Sequence, residues 1–291
     1  MLKNEETKMM LNPMTGQSLP VIDKSLQLME KYKSRILTQD ELRFHELFTK
    51  RRLEQRKQGK LMPVPGGVGY GMFYSSSFFH NFSKGSSIAK TILCPNYPGS
   101  GLTDTLYLTS TNRTAKGVEA LIWYNGNSQP AFWIYDWSLA TPAFVFGLSY
   151  GDLGDYLTVK NIHGKNFQAI EIQNQTYYIN STTWGNIVWL VNQTTSTWEQ
   201  VYFHTYSATS ADQKDSHYGS WGPIVETFQS GNYSNVSTIG FSLVYVRGAD
   251  ANNNWTSFQL LDNNNSTVNG PAQGFAVDFL DTNYTFGVYA S

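Results

Sequence analysis

The chain is short of cysteine, of long apolar runs and, over most of its length, of charge. One cysteine, Cys94, stands among 291 residues, which excludes an internal disulfide framework and leaves no second thiol for a structural zinc site. A buried, inert thiol is the expectation for it. No run of 18 apolar residues occurs, so no membrane span is expected. The N-terminus, Met1-Leu2-Lys3-Asn4-Glu5-Glu6, lacks the apolar centre of a signal peptide. The compartment stays open on this reading, with an extracellular or surface-associated placement favoured over a cytoplasmic one. A net charge of −1 gives no global field toward nucleic acid. His45, His80, His163, His204 and His217 show no metal-ligand spacing, and no cofactor is expected.

What is present divides near residue 60. Residues 1–60 hold 13 Lys+Arg against 8 Asp+Glu, whereas residues 61–291 hold 8 against 14 and every tryptophan. The first part (1–60) reads as a basic helical arm. One helix is predicted over about Ile22 to Leu37. A second is predicted from Thr38, where Thr38-Gln39-Asp40-Glu41 is a capping box. Phe44, Leu47 and Phe48 form a narrow apolar stripe on it. Lys50, Arg51, Arg52, Arg56, Lys57 and Lys60 crowd its C-terminal half, where they either contact phosphate or an anionic surface or, the plainer reading, form a solvated face that complements the helix dipole. Such a stripe does not sustain a short helix alone, so the arm should pack on the β domain or on another copy of the chain. Residues 61–68, with Met62-Pro63-Val64-Pro65-Gly66-Gly67, form a linker.

Residues 69–291 read as short runs of β-branched and aromatic residues separated by turn clusters. Strands are predicted near 69–79, 102–110, 117–124, 131–137, 142–149, 156–162, 167–173, 175–180, 186–192, 198–207, 222–228, 238–246, 256–261, 273–279 and 284–289. With no helices between them, they imply a mainly β fold, a two-sheet antiparallel sandwich of concanavalin-like or jelly-roll type.

Strand alternation supplies the candidate ligand-binding residues. Trp133, Tyr135 and Trp137 share one face of their strand. Trp198, Gln200, Tyr202, His204 and Tyr206 share a face of another, with Val201 and Phe203 opposite as core. Rings mixed with polar tips suit a groove for a glycan or an extended peptide; the groove is expected from Trp133, Tyr135, Trp137, Tyr202, His204 and Tyr206. Asp250, Asn252 and Asn254 have the spacing of calcium ligands. Trp255 and Leu261 stand where such a loop needs Gly and Glu, so an Asn-rich turn is the plainer reading. Eleven Asn-x-Ser/Thr triplets begin at Asn81, Asn112, Asn174, Asn180, Asn192, Asn232, Asn235, Asn254, Asn264, Asn265 and Asn283.

Two segments resemble pieces of the glutamic peptidases called eqolisins. Leu121-Ile122-Trp123-Tyr124-Asn125-Gly126 is similar to their W-V-G-I-D-G strand and turn. Trp221-Gly222-Pro223-Ile224-Val225-Glu226-Thr227-Phe228 is similar to their A-E-W-I-V-E-D-F segment. The resemblance implies a concanavalin-like sandwich and, in the family, acid-acting catalysis by a Gln/Glu pair. Here Gly222 stands at the catalytic Glu, Glu226 matches the family's non-catalytic Glu, and Phe132 stands at the Gln, with Gln129 out of register. A carboxylate must reach the attacking water to act as base, so the resemblance supports the fold and argues against that catalytic pair.

The leading functional expectation is a non-enzymatic binding module. The alternatives are a hydrolase or lyase using Glu226 and His204 as acid and base, and a structural protein that self-associates through the arm.

Overall fold

The computed structural model describes residues 8–57, 69–74, 83–96, 105–110, 116–126, 128–213, 221–227, 238–261, 266–269, 275–281 and 285–290; the expected linker lies outside them. In chain order the elements are β1 (Met9–Asn12), β2 (Gln17–Asp23), α1 (Ser25–Lys33), α2 (Gln39–Lys57), β3 (Gly69–Tyr74), β4 (Gly85–Leu93), β5 (Thr105–Ser110), β6 (Val118–Asn125) and β7 (Ala131–Asp136). They continue with β8 (Ala143–Leu148), β9 (Leu157–Ile162), β10 (Lys165–Asn180), β11 (Thr183–Asn192), β12 (Thr197–Ser207), α3 (Ser210–Gln213), β13 (Trp221–Thr227) and β14 (Ile239–Ala249). The last are β15 (Gln259–Leu260), β16 (Ser266–Asn269), β17 (Phe275–Asp281) and β18 (Thr285–Ala290).

The strands form two sheets. The larger has eleven strands, ordered β1-β2-β12-β11-β10-β4-β14-β18-β17, with β9 on β10 and β15 on β14; the smaller has seven, ordered β16-β3-β13-β5-β6-β7-β8. Among the described residues all pairings are antiparallel except β2 with β12, where Val21 lies opposite Trp198. The expected sandwich is present, with that one parallel join. Its core lies between the sheets and includes Ile88, Ile92, Ala120, Ile122, Phe132, Ile134, Ile170, Ile172, Val188 and Leu190. Cys94 is buried there, and burial pushes its thiol up to about 12, which makes it a poor nucleophile.

β4, between β10 and β14 in the large sheet, and β16 are absent from the strands predicted above, and three further local readings change. Ahead of the first predicted helix, where no element was expected, the arm opens with a hairpin: Met14 N–H donates to Asn12 Oδ1 at 3.0 Å, and Gly16 takes φ 73°, a conformation glycine adopts without steric cost. Asp23 Oδ1 then accepts from Ser25 N–H at 2.9 Å to start α1. The two strands expected at 167–173 and 175–180 are one, β10. Asn174 does not break it, because its side chain is buried and employed. Lys90 Nζ donates to Asn174 Oδ1 at 2.6 Å, and Asn174 Nδ2 donates to the Val118 carbonyl at 3.1 Å. Burial holds the Lys90 amine well below its usual range.

The third change is a bulge in β12, where the pairing steps from Val188–Tyr202 to Trp189–Gln200. Val201 is the extra residue, and such a residue reverses the alternation beyond it. Trp198 therefore packs on the outer face of the large sheet, Tyr202 packs in the inter-sheet core, and Phe203 is 43% exposed instead of buried.

The arm is a strap around the sandwich. Its hairpin contributes Met10, Met14, Leu19 and Val21 to the cluster on the outer face of the large sheet. Leu28, Met29 and Tyr32 of α1 pack against the inter-sheet core. Phe44 and Phe48 of α2 are 2% and 0% exposed on the outer face of the small sheet, against Leu121, Trp123, Trp133, Tyr135 and Trp137. The capping box forms: Thr38 N–H donates to Glu41 Oε2 at 2.8 Å, and Glu41 N–H donates to Thr38 Oγ1 at 3.2 Å.

Trp133 reaches this position because Gly147 lies opposite it on β8. A Cβ at Gly147 would stand 2.3 Å from the Trp133 ring. Gly147→Ala should therefore cost at least about 1–3 kcal/mol, the usual penalty for overpacking, and shift tryptophan emission in a urea titration. Unchanged stability would mean that Trp133 does not occupy this space.

Candidate functional site

The outer face of the small sheet holds a buried ionic cluster inside an aromatic shell. Alternation along β6 puts Val118, Ala120 and Ile122 in the inter-sheet core, which turns Glu119, Leu121 and Trp123 outward. Val225 of β13 points inward, so Glu226 points outward, and Trp133, Tyr135 and Trp137 complete the face from β7 and the turn after it. Helix α2 lies across it. Arg52 is 1% exposed, and Glu119 and Glu226 are each 0% exposed.

The guanidinium meets both carboxylates. Arg52 Nε lies 3.2 Å from Glu119 Oε1, and Nη2 lies 3.2 Å from Glu119 Oε2. The same Nη2 lies 2.7 Å from Glu226 Oε2. Trp137 Nε1 donates to Glu119 Oε1 at 2.8 Å, which fixes that carboxylate from the sheet side. The Arg52 guanidinium also stands 4.8 Å above the Phe48 ring. The basic cluster of α2 is thus no uniformly solvated face. The spacing Phe44, Phe48, Arg52 is i, i+4, i+8, one stripe of the helix.

Rings fill the rest of the interface. Phe44 stacks on Trp123 with centroids 4.8 Å apart, and Phe48 meets Tyr135 edge-on at 5.1 Å. Arg35, which pairs with Glu41, lies 5.3 Å over Trp133. His45 stacks on Phe144 at 4.0 Å and meets Trp133 edge-on at 4.4 Å. The fit of α2 leaves polar atoms unmatched: His45 Nε2, Trp123 Nε1, Trp133 Nε1 and Glu226 Oε1 are buried without a hydrogen-bond partner among the described residues.

The six residues expected to line one groove fall in two places. Trp133, Tyr135 and Trp137 lie under α2, with exposures of 0%, 0% and 5%. Tyr202, His204 and Tyr206 belong to β12, and Tyr202 and His204 meet inward-facing Asp136. That carboxylate accepts from Tyr202 OH at 2.5 Å, Asn186 Nδ2 at 3.0 Å and Ser138 Oγ at 2.6 Å, and lies 3.1 Å from His204 Nδ1. Burial, and then the Asp136 charge, raise the Tyr202 phenol. Glu226 and His204, paired as acid and base in the sequence reading, therefore serve different clusters. Glu226 is joined instead by Glu119, which strand alternation places on its face but which no motif singles out.

Other candidates resolve simply. Asp250 Oδ1 accepts from Asn252 N–H at 2.8 Å and Asn254 N–H at 2.9 Å. These bonds, that from Asn254 foremost, lower its pKa and are turn chemistry. Among the described residues no group of three or more His, Cys, Asp or Glu could hold a metal ion, and no helix is long and apolar enough to cross a membrane. Asn174 and Asn192 are buried, which precludes a glycan on the folded chain, whereas Asn180 and Asn254 are exposed. The remaining seven triplets begin outside the described residues. Phe132 is buried in the inter-sheet core, and Gln129 donates to Asn96 Oδ1 at 3.0 Å.

No protein-family model and no curated protein sequence matches the chain. Among solved structures it is similar to SCP-B, a member of the eqolisin family of peptidases in complex with the tripeptide Ala-Ile-His, at 10% identity and TM-score 0.40, covering 78% of this chain and 100% of that one. It is similar to scytalido-glutamic peptidase with a transition-state analogue inhibitor at 11% identity and TM-score 0.41, with the same coverage. It is also similar to the CBM2 module of an evolved Dit of Lactobacillus casei phage J-1 at 7% identity and TM-score 0.27, covering 58% of this chain and 62% of that one. The likeness to the eqolisins is distant, partial and one of fold.

His45 makes the seat of α2 sensitive to acid. Burial, reinforced by the Arg35 charge, lowers its pKa to about 4 from an ordinary value of about 6.5. The folded state thus favours the neutral ring. Its contribution is complete above about pH 6.5 and is lost as pH falls toward 4. Relative to His45→Phe, the parent should lose stability across that window and run parallel above it, as read by urea midpoints at successive pH values. Parallel curves throughout would refute this role.

Proposed function

We propose that the protein is a peptide-binding module and that the aromatic, acidic outer face of the small sheet is its ligand face. The observation that carries the reading is Arg52 seated on Glu119 and Glu226 beneath α2. A segment of polypeptide lies on the predicted aromatic face, held by ring contacts and by a cation. Two buried carboxylates call for a cationic partner, which favours a basic peptide over a neutral glycan. The unmatched Trp123, Trp133 and Glu226 atoms support an occupant other than α2, because each such group costs about 1–3 kcal/mol when buried unpaired. Trp133, Tyr135, Trp137, Glu119 and Glu226 are the binding residues on this reading. Tyr202, His204 and Tyr206 form a separate cluster.

A hydrolase is the second reading, favoured by the two carboxylates that share Arg52 Nη2. Paired carboxylates can divide acid and base roles. The pair would be Glu119 and Glu226, without His204.

The test is a peptide array and a glycan array probed with the full chain and with Phe44→Ala, which removes the ring stacked on Trp123. If α2 competes for the face, loosening it should raise affinity for basic peptides at least about tenfold. Glycan binding with no peptide binding in either protein would overturn the proposal. Peptide cleavage that disappears in Glu226→Gln would favour the second reading.

A further inference from the structure

The chemistry of the Arg52 seat narrows the ligand class. We infer that Glu119 and Glu226 form a guanidinium-selective subsite, and that the peptides this face takes are amphipathic helices carrying arginine four and eight residues after aromatic side chains. This rests on the peptide-binding reading and deepens it.

The selectivity follows from shape. Glu119 lies along the Nε–Nη2 edge of Arg52: Nη2 donates to Oε2 at 3.2 Å, and Nε approaches Oε1 at 3.2 Å as an ion-pair contact. Glu226 takes Nη2 from the other side at 2.7 Å. A planar fork presents those two nitrogens together, whereas a lysine ammonium presents one nitrogen and cannot span both oxygens in the same geometry. The subsite is also built from the sheet. Trp137 Nε1 holds Glu119 Oε1 at 2.8 Å, and the carboxylates come from β6 and β13 of one sheet. An arginine from elsewhere would meet the same two groups.

The aromatic contribution comes from the occupant. Phe48, under the guanidinium at 4.8 Å, and Phe44, stacked on Trp123, belong to α2 itself. In an extended chain positions i, i+4 and i+8 share a face but lie about 13 Å apart, whereas a helix sets them about 6 Å apart, as Phe44, Phe48 and Arg52 are set here. This is the mode of helix-in-groove recognition. Glu226 Oε1, buried and without a hydrogen-bond partner among the described residues, offers an acceptor that α2 leaves unused. A competing helix with a further donor there gains what α2 lacks.

The experiment uses full-length Arg52→Ala, which vacates the seat. Guanidinium chloride far below denaturing concentration should raise its Tm, while methylammonium chloride at equal ionic strength should not, and the rescue should vanish when Glu226→Gln is added. A labelled peptide with the sequence 39–57 should then bind Arg52→Ala in trans at least about tenfold more tightly than the same peptide carrying lysine at position 52. Equal rescue by both cations, or equal binding of both peptides, overturns guanidinium selectivity while leaving a peptide-binding face. Selective rescue with no peptide binding supports the subsite chemistry and overturns the binding function together with the ligand class inferred here. If Arg52→Ala does not fold, Arg52→Lys replaces it: a Tm equal to the parent's overturns the inference, and a lower Tm supports it.

Discussion

A guanidinium removed from water between two carboxylates is the constraint on which the small sheet and the arm both depend. Arg52, Glu119 and Glu226 are almost wholly buried. Ions in such a place are tolerated only with partners at hydrogen-bond distance. The arm cannot leave without exposing or stranding two acids, and the acids cannot stay dry without a cation. This is why a helix with only a narrow apolar stripe is ordered on the sheet. Phe44 and Phe48 supply area, and Arg52 supplies a reason for the helix to sit at one register.

The same arrangement links fold to function. Most outer faces of a sandwich are covered by solvent or by regular polar side chains. Here the face presents Trp123, Trp133, Tyr135 and Trp137 around two acids, and the chain covers it with its own N-terminal strap. The strap grips at three points: the β2–β12 join, the α1 contact with the inter-sheet core, and the α2 contact. The first also touches buried acids, Glu171 through Asn12 and Glu199 beside Ile22; the third joins a guanidinium to two buried carboxylates and leaves several polar atoms unmatched. That contact combines strong local complementarity with incomplete satisfaction, as expected where one occupant stands in for another.

Much of the architecture was legible in the sequence because it depends on local periodicity. Alternation identified the aromatic face of β7, the capping box identified the start of α2, and the helix-free run of strands identified the sandwich. The failures were non-local. The bulge at Val201 has no sequence marker, and it alone separates Trp198 from Tyr202. Asn174 resembles a strand breaker until Lys90 and Val118 are brought beside it. Arg52 reads as one of several surface cations, and Glu119 as an ordinary strand residue, because nothing in either neighbourhood reveals a partner 67 or 174 residues away. The arm's hairpin carries no clear alternation, because Met9-Met10-Leu11 and Leu19-Pro20-Val21-Ile22 are short continuous apolar runs on either side of the Asn12–Gly16 turn.

Exchange of α2 for a peptide ligand requires that the helix be a separable tenant of the small sheet, held mainly by Arg52 and its ring contacts. Native-state hydrogen exchange on the full chain tests this most directly, by comparing amides of α2 with those of β6 and β7. Helix α2 should exchange through an opening of its own, with protection clearly below that of the two strands. Equal protection, with α2 exchanging only when the whole sandwich unfolds, would contradict it.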